Sequence, residues 1–196
     1  MTEVPPNLLP CDGIARYFGP VFSPVEAQQV MATLMMAVPW RSDEVVLFGK
    51  RIVTARKVAW YADAGQAYTY SGTTKEALSW TPELLELKAV AEAHCGSRFN
   101  SCLLNLYHNG TEGMGWHSDD EPSIVRDSAI ASLSFGAERR FLFKLKRDPE
   151  TKRGLTLEPG SLLEMADTTQ THWLHSLPKS TRIREPRVNL TFRLMH

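Results

Sequence analysis

The sequence predicts an α+β domain in which two helices pack on an antiparallel sandwich or jelly roll of short strands. Three observations carry this. Two well-signalled helical segments lie in the first half of the chain. Beyond Gly96 the residues break into short alternating runs separated by turns. Hydrophobic residues make up 43% of the chain and charged residues 22%, enough for one sizeable core. The 196 residues fit one domain. An irregular arm rich in Pro and Gly is expected over residues 1–20, and a single domain over 21–196.

The first helix opens at Ser23-Pro24-Val25-Glu26. Ser23 can cap, Pro24 suits the first helical position, and Glu26 completes a capping box. Pro39 forbids continuation, so the helix ends near Val38. The second begins at Thr81-Pro82-Glu83, with Leu84, Leu85, Leu87 and Val90 as its apolar face, and Gly96 ends it.

Residues 41–80, between the helices, read as strands and turns with many aromatics. Ala129–Phe135 and Phe141–Leu145 alternate as strands, joined by a turn at Gly136-Ala137-Glu138-Arg139. Glu158-Pro159-Gly160 marks another turn before Ser161–Met165, and Arg187–Leu194 closes the set. The chain shows no internal repeat and no low-complexity segment.

Composition excludes several classes. No apolar run approaches the ~20 residues that span a bilayer, and residues 1–10 lack the basic-then-apolar pattern of a secretory signal. The three cysteines, Cys11, Cys95 and Cys102, are odd in number and lack CxxC spacing. That argues against a disulfide framework and a cysteine zinc site, and for a reducing cytosolic or nuclear compartment. Lys plus Arg and Asp plus Glu both total 22, so a nucleic-acid partner would need a local basic patch. A monomer is the default expectation.

His117-Ser118-Asp119 is the first chemical signal. In an extended strand, residues two apart point to one side, so imidazole and carboxylate can converge on a cation. One more histidine would complete the two-His, one-carboxylate set that holds non-heme iron(II) with positions left open. A loop histidine beside the solvated acids Asp120 and Glu121 is the plainer explanation of the triplet. The third ligand would come from Thr171–Ser176, where His172 and His175 face opposite sides of a strand. Position alone does not choose between them.

The last strand separates Val188, Leu190, Phe192 and Leu194 from Arg187, Asn189, Thr191 and Arg193. A polar row of this kind is usually a solvated face. It also suits a barrel interior that binds a dicarboxylate, since the planar guanidinium meets a carboxylate bidentately.

Together these motifs resemble a known family. Asn105-Leu106-Tyr107, His117-Ser118-Asp119, Ser132-Leu133-Ser134-Phe135-Gly136, His175-Ser176-Leu177-Pro178 and Arg187–Arg193 are similar, in order and spacing, to the AlkB family, in particular to its branch that acts on duplex DNA. The resemblance covers roughly residues 45–196. It implies a double-stranded β-helix (a jelly roll) with N-terminal helices on one sheet. It also implies a jelly-roll catalytic core over 97–196 and a nucleotide-recognition lid over 45–75. His117, Asp119 and His175 would ligate Fe(II), Arg187 and Arg193 would hold the carboxylates of 2-oxoglutarate, and Asn105, Tyr107, Asn189 and Thr191 would line that pocket. The implied reaction uses O2 to demethylate 1-methyladenine or 3-methylcytosine in single- or double-stranded DNA, with formaldehyde released. RNA, a protein or a small molecule would be the alternative substrate of a same-fold dioxygenase, and a non-enzymatic nucleic-acid-binding module whose HxD is accidental is the other alternative.

Upstream, Phe48-Gly49-Lys50 resembles the loop that inserts an apolar finger into the base stack, with Phe48 as wedge. Lys50 and Arg56 would meet phosphates. Tyr68-Thr69-Tyr70-Ser71-Gly72 resembles the lid that grips the extruded base, Tyr70 stacking on it and Tyr68 and Glu121 contacting its edge. Core packing is the ordinary role for such aromatics. Lys179–Arg184 stands where the duplex-acting branch has a more compact basic run, and keeps the positive charge.

Overall fold

The structure, a computed structural model, describes residues 4–47, 50–64, 67–70 and 73–196, with the backbone alone described at 43–47, 50–52, 67–70 and 73–76. Both helices form where their caps place them. α1 (Pro24–Ala37) starts at Ser23, whose side chain accepts from Glu26 N–H while the Glu26 carboxylate accepts from Ser23 N–H. α2 (Pro82–Cys95) is capped by Thr81 and ends at Gly96 in the left-handed region, φ 63°. Leu85 departs from expectation. It is exposed, while Leu84, Leu87 and Ala91 form the buried stripe.

The expected irregular arm needs correction. Ile14–Pro20 is a strand, β1, because its backbone pairs antiparallel with β11 (Ser161–Ala166) along the sheet edge. That pairing joins residues nearly 150 positions apart, so a local reading of Pro and Gly content misses it.

Among the described residues, seven strands build the large sheet, in the order β1-β11-β8-β13-β6-β3-β2. Its other members are β2 (Arg41–Leu47), β3 (Lys50–Ala62), β6 (Ser101–Tyr107), β8 (Ile130–Gly136) and β13 (Arg187–Arg193). Opposite it lies a four-stranded sheet, β10-β9-β12-β7. It comprises β7 (Met114–His117), β9 (Arg139–Leu145), β10 (Lys152–Leu157) and β12 (Trp173–Leu177), the last entered from a short helix α3 (Thr169–His172). A separate hairpin pairs β4 (Ala67–Tyr70) with β5 (Thr73–Glu76). Two antiparallel sheets closed over a core, with helices on one outer face, make the jelly roll that was expected.

The large sheet has a core on each side. Outside, Leu34, Leu84, Leu87 and Ala91 of the helices pack on Leu104, Leu106, Leu133, Phe135, Val188, Leu190 and Phe192. Inside, Tyr107, Ile130, Leu163 and Met165 face Phe141, Phe143, Leu145, Leu157 and Trp173 of the small sheet. β13 runs between β6 and β8, and all seven of its residues are buried. Its apolar row packs on the helices, so its polar row points into the roll. This placement rules out a solvated face.

Candidate metal and dicarboxylate site

The two histidines meet because their strands are neighbours. β12 pairs antiparallel with β7, and His175 is the register partner of His117. Their rings lie 4.2 Å apart, centroid to centroid. His117 ends β7 and Asp119 lies just beyond, so the strand geometry expected for the triplet covers only its first residue. The coil after β7 nevertheless brings Asp119 Oδ1 to 3.7 Å from His117 Nε2. Among the described residues, His117, Asp119 and His175 form a group whose ligand atoms all lie within 4.8 Å of one another. His172 is excluded because it sits on α3 rather than on the strand.

Protonation states suit a divalent cation. His117 Nδ1 lies 2.9 Å from the Gly115 carbonyl, which can only accept. That nitrogen therefore carries the proton, and Nε2 turns its lone pair toward the cluster. Burial pushes His175 down to about 3, so its ring is neutral at physiological pH. For Asp119, burial works to raise the carboxyl, but the Arg193 guanidinium beside it outweighs burial and draws it down to about 2. Arg193 Nη2 donates to Asp119 Oδ2 at 2.8 Å. One buried carboxylate is thus ionised, with Oδ1 on the side of the histidines.

The polar row of β13 lines the space beside this cluster. Arg187 is 3% exposed, and Nη2 donates to Ser134 Oγ at 2.9 Å. Its guanidinium lies 5.6 Å from the Tyr107 ring centroid. Burial lowers it to about 10, against the raising influence of Tyr107, so it remains a cation at neutral pH. Arg187 Nε and the Asn105 Oδ1 atom are buried without a hydrogen-bond partner among the described residues. Such orphans in a cationic cleft are what an absent polar ligand would satisfy. Asn189 is differently used. Its amide donates to Ser132 Oγ and the Leu133 carbonyl and accepts from Thr191, so both residues shape the wall through each other.

The residues expected to touch nucleic acid divide three ways. Phe48 and Ser71 lie outside the described residues. Lys50 belongs to β3, and Tyr68 and Tyr70 to β4, with side chains outside the described set. Arg56 and Glu121 are described. Arg56 reaches Met114 Sδ at 3.7 Å, on the strand that ends at His117, and Glu121 is half-buried two residues after Asp119.

Sequence reading missed partners that act at a distance. Ser134 and Ser132 receive Arg187 and Asn189 across the sheet. Their alternation with Leu133 and Phe135 was a usable signal. Gln170 touches Asp119 from 51 residues away, and no motif announces it.

Residues 14–193 match the family model of the 2OG-Fe(II) oxygenase superfamily. The chain is 39% identical over 196 aligned residues to "DNA oxidative demethylase ALKBH2" of Mus musculus, covering 94% of this chain and 82% of the relative. The chain belongs to the 2OG-Fe(II) oxygenase superfamily and, within it, to the AlkB homologues. It is also 42% identical over 180 residues to "Alpha-ketoglutarate-dependent dioxygenase alkB homolog 3" of Homo sapiens, covering 87% of this chain. It spans 62% of the length of that relative and of its Bos taurus counterpart. The solved structure of OsALKBH1 superposes with a TM-score of 0.61 at 14% identity, covering 95% of this chain and 98% of that one, which supports the AlkB-homologue fold. Membership makes iron(II), 2-oxoglutarate and O2 the cofactor set, and the donors His117, Asp119 and His175 fit it. No described helix is long and apolar enough to cross a membrane.

Proposed function

We propose that this AlkB homologue removes alkyl groups oxidatively from N-alkylated bases, such as 1-methyladenine and 3-methylcytosine, in DNA. The observation that carries the reading is a juxtaposition. A two-histidine, one-carboxylate cluster lies inside the roll beside two buried arginines, and Arg193 bonds the carboxylate itself.

When bound, iron(II) and 2-oxoglutarate supply the oxidation: O2 converts 2-oxoglutarate to succinate and CO2, and the base methyl is hydroxylated and leaves as formaldehyde. The chain holds and orients. His117 offers Nε2, His175 a neutral ring and Asp119 an anionic oxygen, the set that suits non-heme iron(II) while leaving open positions. Arg187 receives one end of the dicarboxylate, with Asn105 and Tyr107 beside it, and Arg193 orients Asp119 and meets the other end. Asn189 and Thr191 complete the wall. The apolar inner core keeps bulk water from the cleft.

Phe48, Lys50, Arg56, Tyr68, Tyr70, Ser71 and Glu121 are assigned to the nucleic acid. Local positive charge supports a polyanion despite zero net charge. Lys179, Arg182 and Arg184 are exposed on one loop. That loop is pinned by hydrogen bonds from Ser180 N–H to the Gly110 carbonyl and from Gly110 N–H to the Ile183 carbonyl. Three free cysteines fit a reducing compartment.

The test is incubation with iron(II), 2-oxoglutarate, ascorbate and an oligonucleotide bearing one 1-methyladenine, duplex or single-stranded, read by mass. Loss of the methyl group, abolished by His117→Ala, is expected. Turnover of 2-oxoglutarate with the methyl retained in both forms would assign a different substrate. A Phe48→Ala, Lys50→Ala double variant as active on duplex as the parent would remove the finger assignment.

A further inference from the structure

We infer that Gln170, braced by Lys146, is a positioning residue that holds Asp119 in register with the two histidines. The inference rests on the ligand assignment above. Asp119 needs a support that the histidines do not. His117 and His175 are register partners on paired strands, whereas the β7–β12 ladder stops at residue 117. The Asp119 N–H is donated instead to Gln170 Oε1 at 2.9 Å. That bond fixes the amide orientation, because an N–H donor requires the oxygen. Gln170 Nε2 is left facing Met165 Sδ at 3.7 Å.

Lys146 closes the brace from the other side. Its ammonium donates to the Gln170 carbonyl at 2.9 Å and to Ser118 Oγ at 3.0 Å, and lies 3.6 Å from Asp120 Oδ2. Residues 118–120 are thereby tied to α3 by side chain and main chain together. α3 is itself anchored. Thr169 is 1% exposed, its hydroxyl accepts from Ile14 N–H at 2.8 Å, and it lies 2.6 Å from the Ala166 carbonyl. α3 runs directly into β12, so one short turn serves two ligands: His175 through the chain and Asp119 through the amide.

The consequence lies in the direction of one oxygen. Arg193 takes Oδ2, so the aim of Oδ1 depends on where the Asp119 backbone sits. Partners behind metal ligands are typically worth ten- to a hundredfold in metal affinity.

The test titrates cobalt(II) into the metal-free full chain and reads its absorption bands, alongside the thermal midpoint of each metal-free variant. Gln170→Met keeps length and packing but replaces the amide oxygen with a weak thioether acceptor, whereas Gln170→Glu keeps an oxygen acceptor. Gln170→Met is expected to weaken cobalt binding about tenfold or more and to alter the bands. Gln170→Glu should stay near the parent, and Lys146→Met should fall between. A Gln170→Met variant that binds as tightly as the parent with unchanged bands overturns the inference, whatever its stability, as does a Gln170→Glu variant that loses as much as Gln170→Met. Were Gln170→Met to give no folded chain, Lys146→Met, at an exposed position, decides in the same way. Parent-like binding in His117→Ala would overturn the ligand assignment instead.

Discussion

Arg187 shows how much one side chain can be asked to do. It is buried, cationic at neutral pH, and has one donor committed to Ser134 and another unpartnered among the described residues. A planar fork in that position recognises a carboxylate bidentately, and a lysine cannot reproduce it. Arg187→Lys is therefore expected to raise the KM for 2-oxoglutarate about tenfold or more, the size of a lost charge-assisted hydrogen bond, with the folded fraction retained. Succinate formed against 2-oxoglutarate concentration measures it, and an unchanged KM would remove Arg187 from the cosubstrate pocket. The thiols make a second residue-scale prediction. Burial pushes Cys95 up to about 12 and Cys102 well above the ordinary thiol range, so neither is a thiolate at pH 8. Both should resist iodoacetamide in the native protein and react in guanidinium, as peptide masses will show.

At the scale of elements, ends matter more than interiors. The capping box on α1 satisfies two backbone donors with Ser23 and Glu26. Ser23→Ala is expected to cost about 1 kcal/mol, read as a lower denaturant midpoint with the slope unchanged. The Ser23 side chain and backbone lower Glu26 below its ordinary range. The bond that the Glu26 carboxylate accepts is therefore fully present above the unfolded pKa of that glutamate and is lost as pH falls through the lower folded value. The difference between Ser23→Ala and parent should shrink in acid without vanishing, because Ser23 Oγ still accepts from the Glu26 N–H when the carboxyl is protonated. Element ends also explain what the local reading reached. Ser23, Pro24, Thr81 and Gly96 are punctuation visible in any window of a few residues. The β1 pairing has no such mark, since its hydrogen bonds go to Ser161–Ala166.

Across the whole molecule, the metal site is a closure of the fold. His117 and His175 come from adjacent strands of one sheet, and Arg193, which bonds Asp119, comes from the other. A cation bound there links the two sheets and binds only the folded chain. At one hundred times its Kd it stabilises by about 2.7 kcal/mol, a rise in Tm of roughly 5–10 °C for a chain of this size. Cobalt(II) should produce that rise in the parent and none in His175→Ala. An equal rise in both would place the metal elsewhere.

What the sequence determined by itself was local or periodic. The helices, most strand positions and turns, the HxD triplet, and the two faces of β13 follow from spacing and residue type. The family resemblance added the choice of His175 over His172. Tertiary structure decided the rest. Whether the polar row of Arg187, Asn189, Thr191 and Arg193 met water or a cleft depended on a second sheet covering it, and no property of residues 187–193 encodes that sheet. Gln170 became a neighbour of Asp119 only when α3 docked beside the coil after β7. The physical reason is the same in both cases. Hydrophobic periodicity acts over a few residues, whereas burial and long-range hydrogen bonds exist only once the layers have closed.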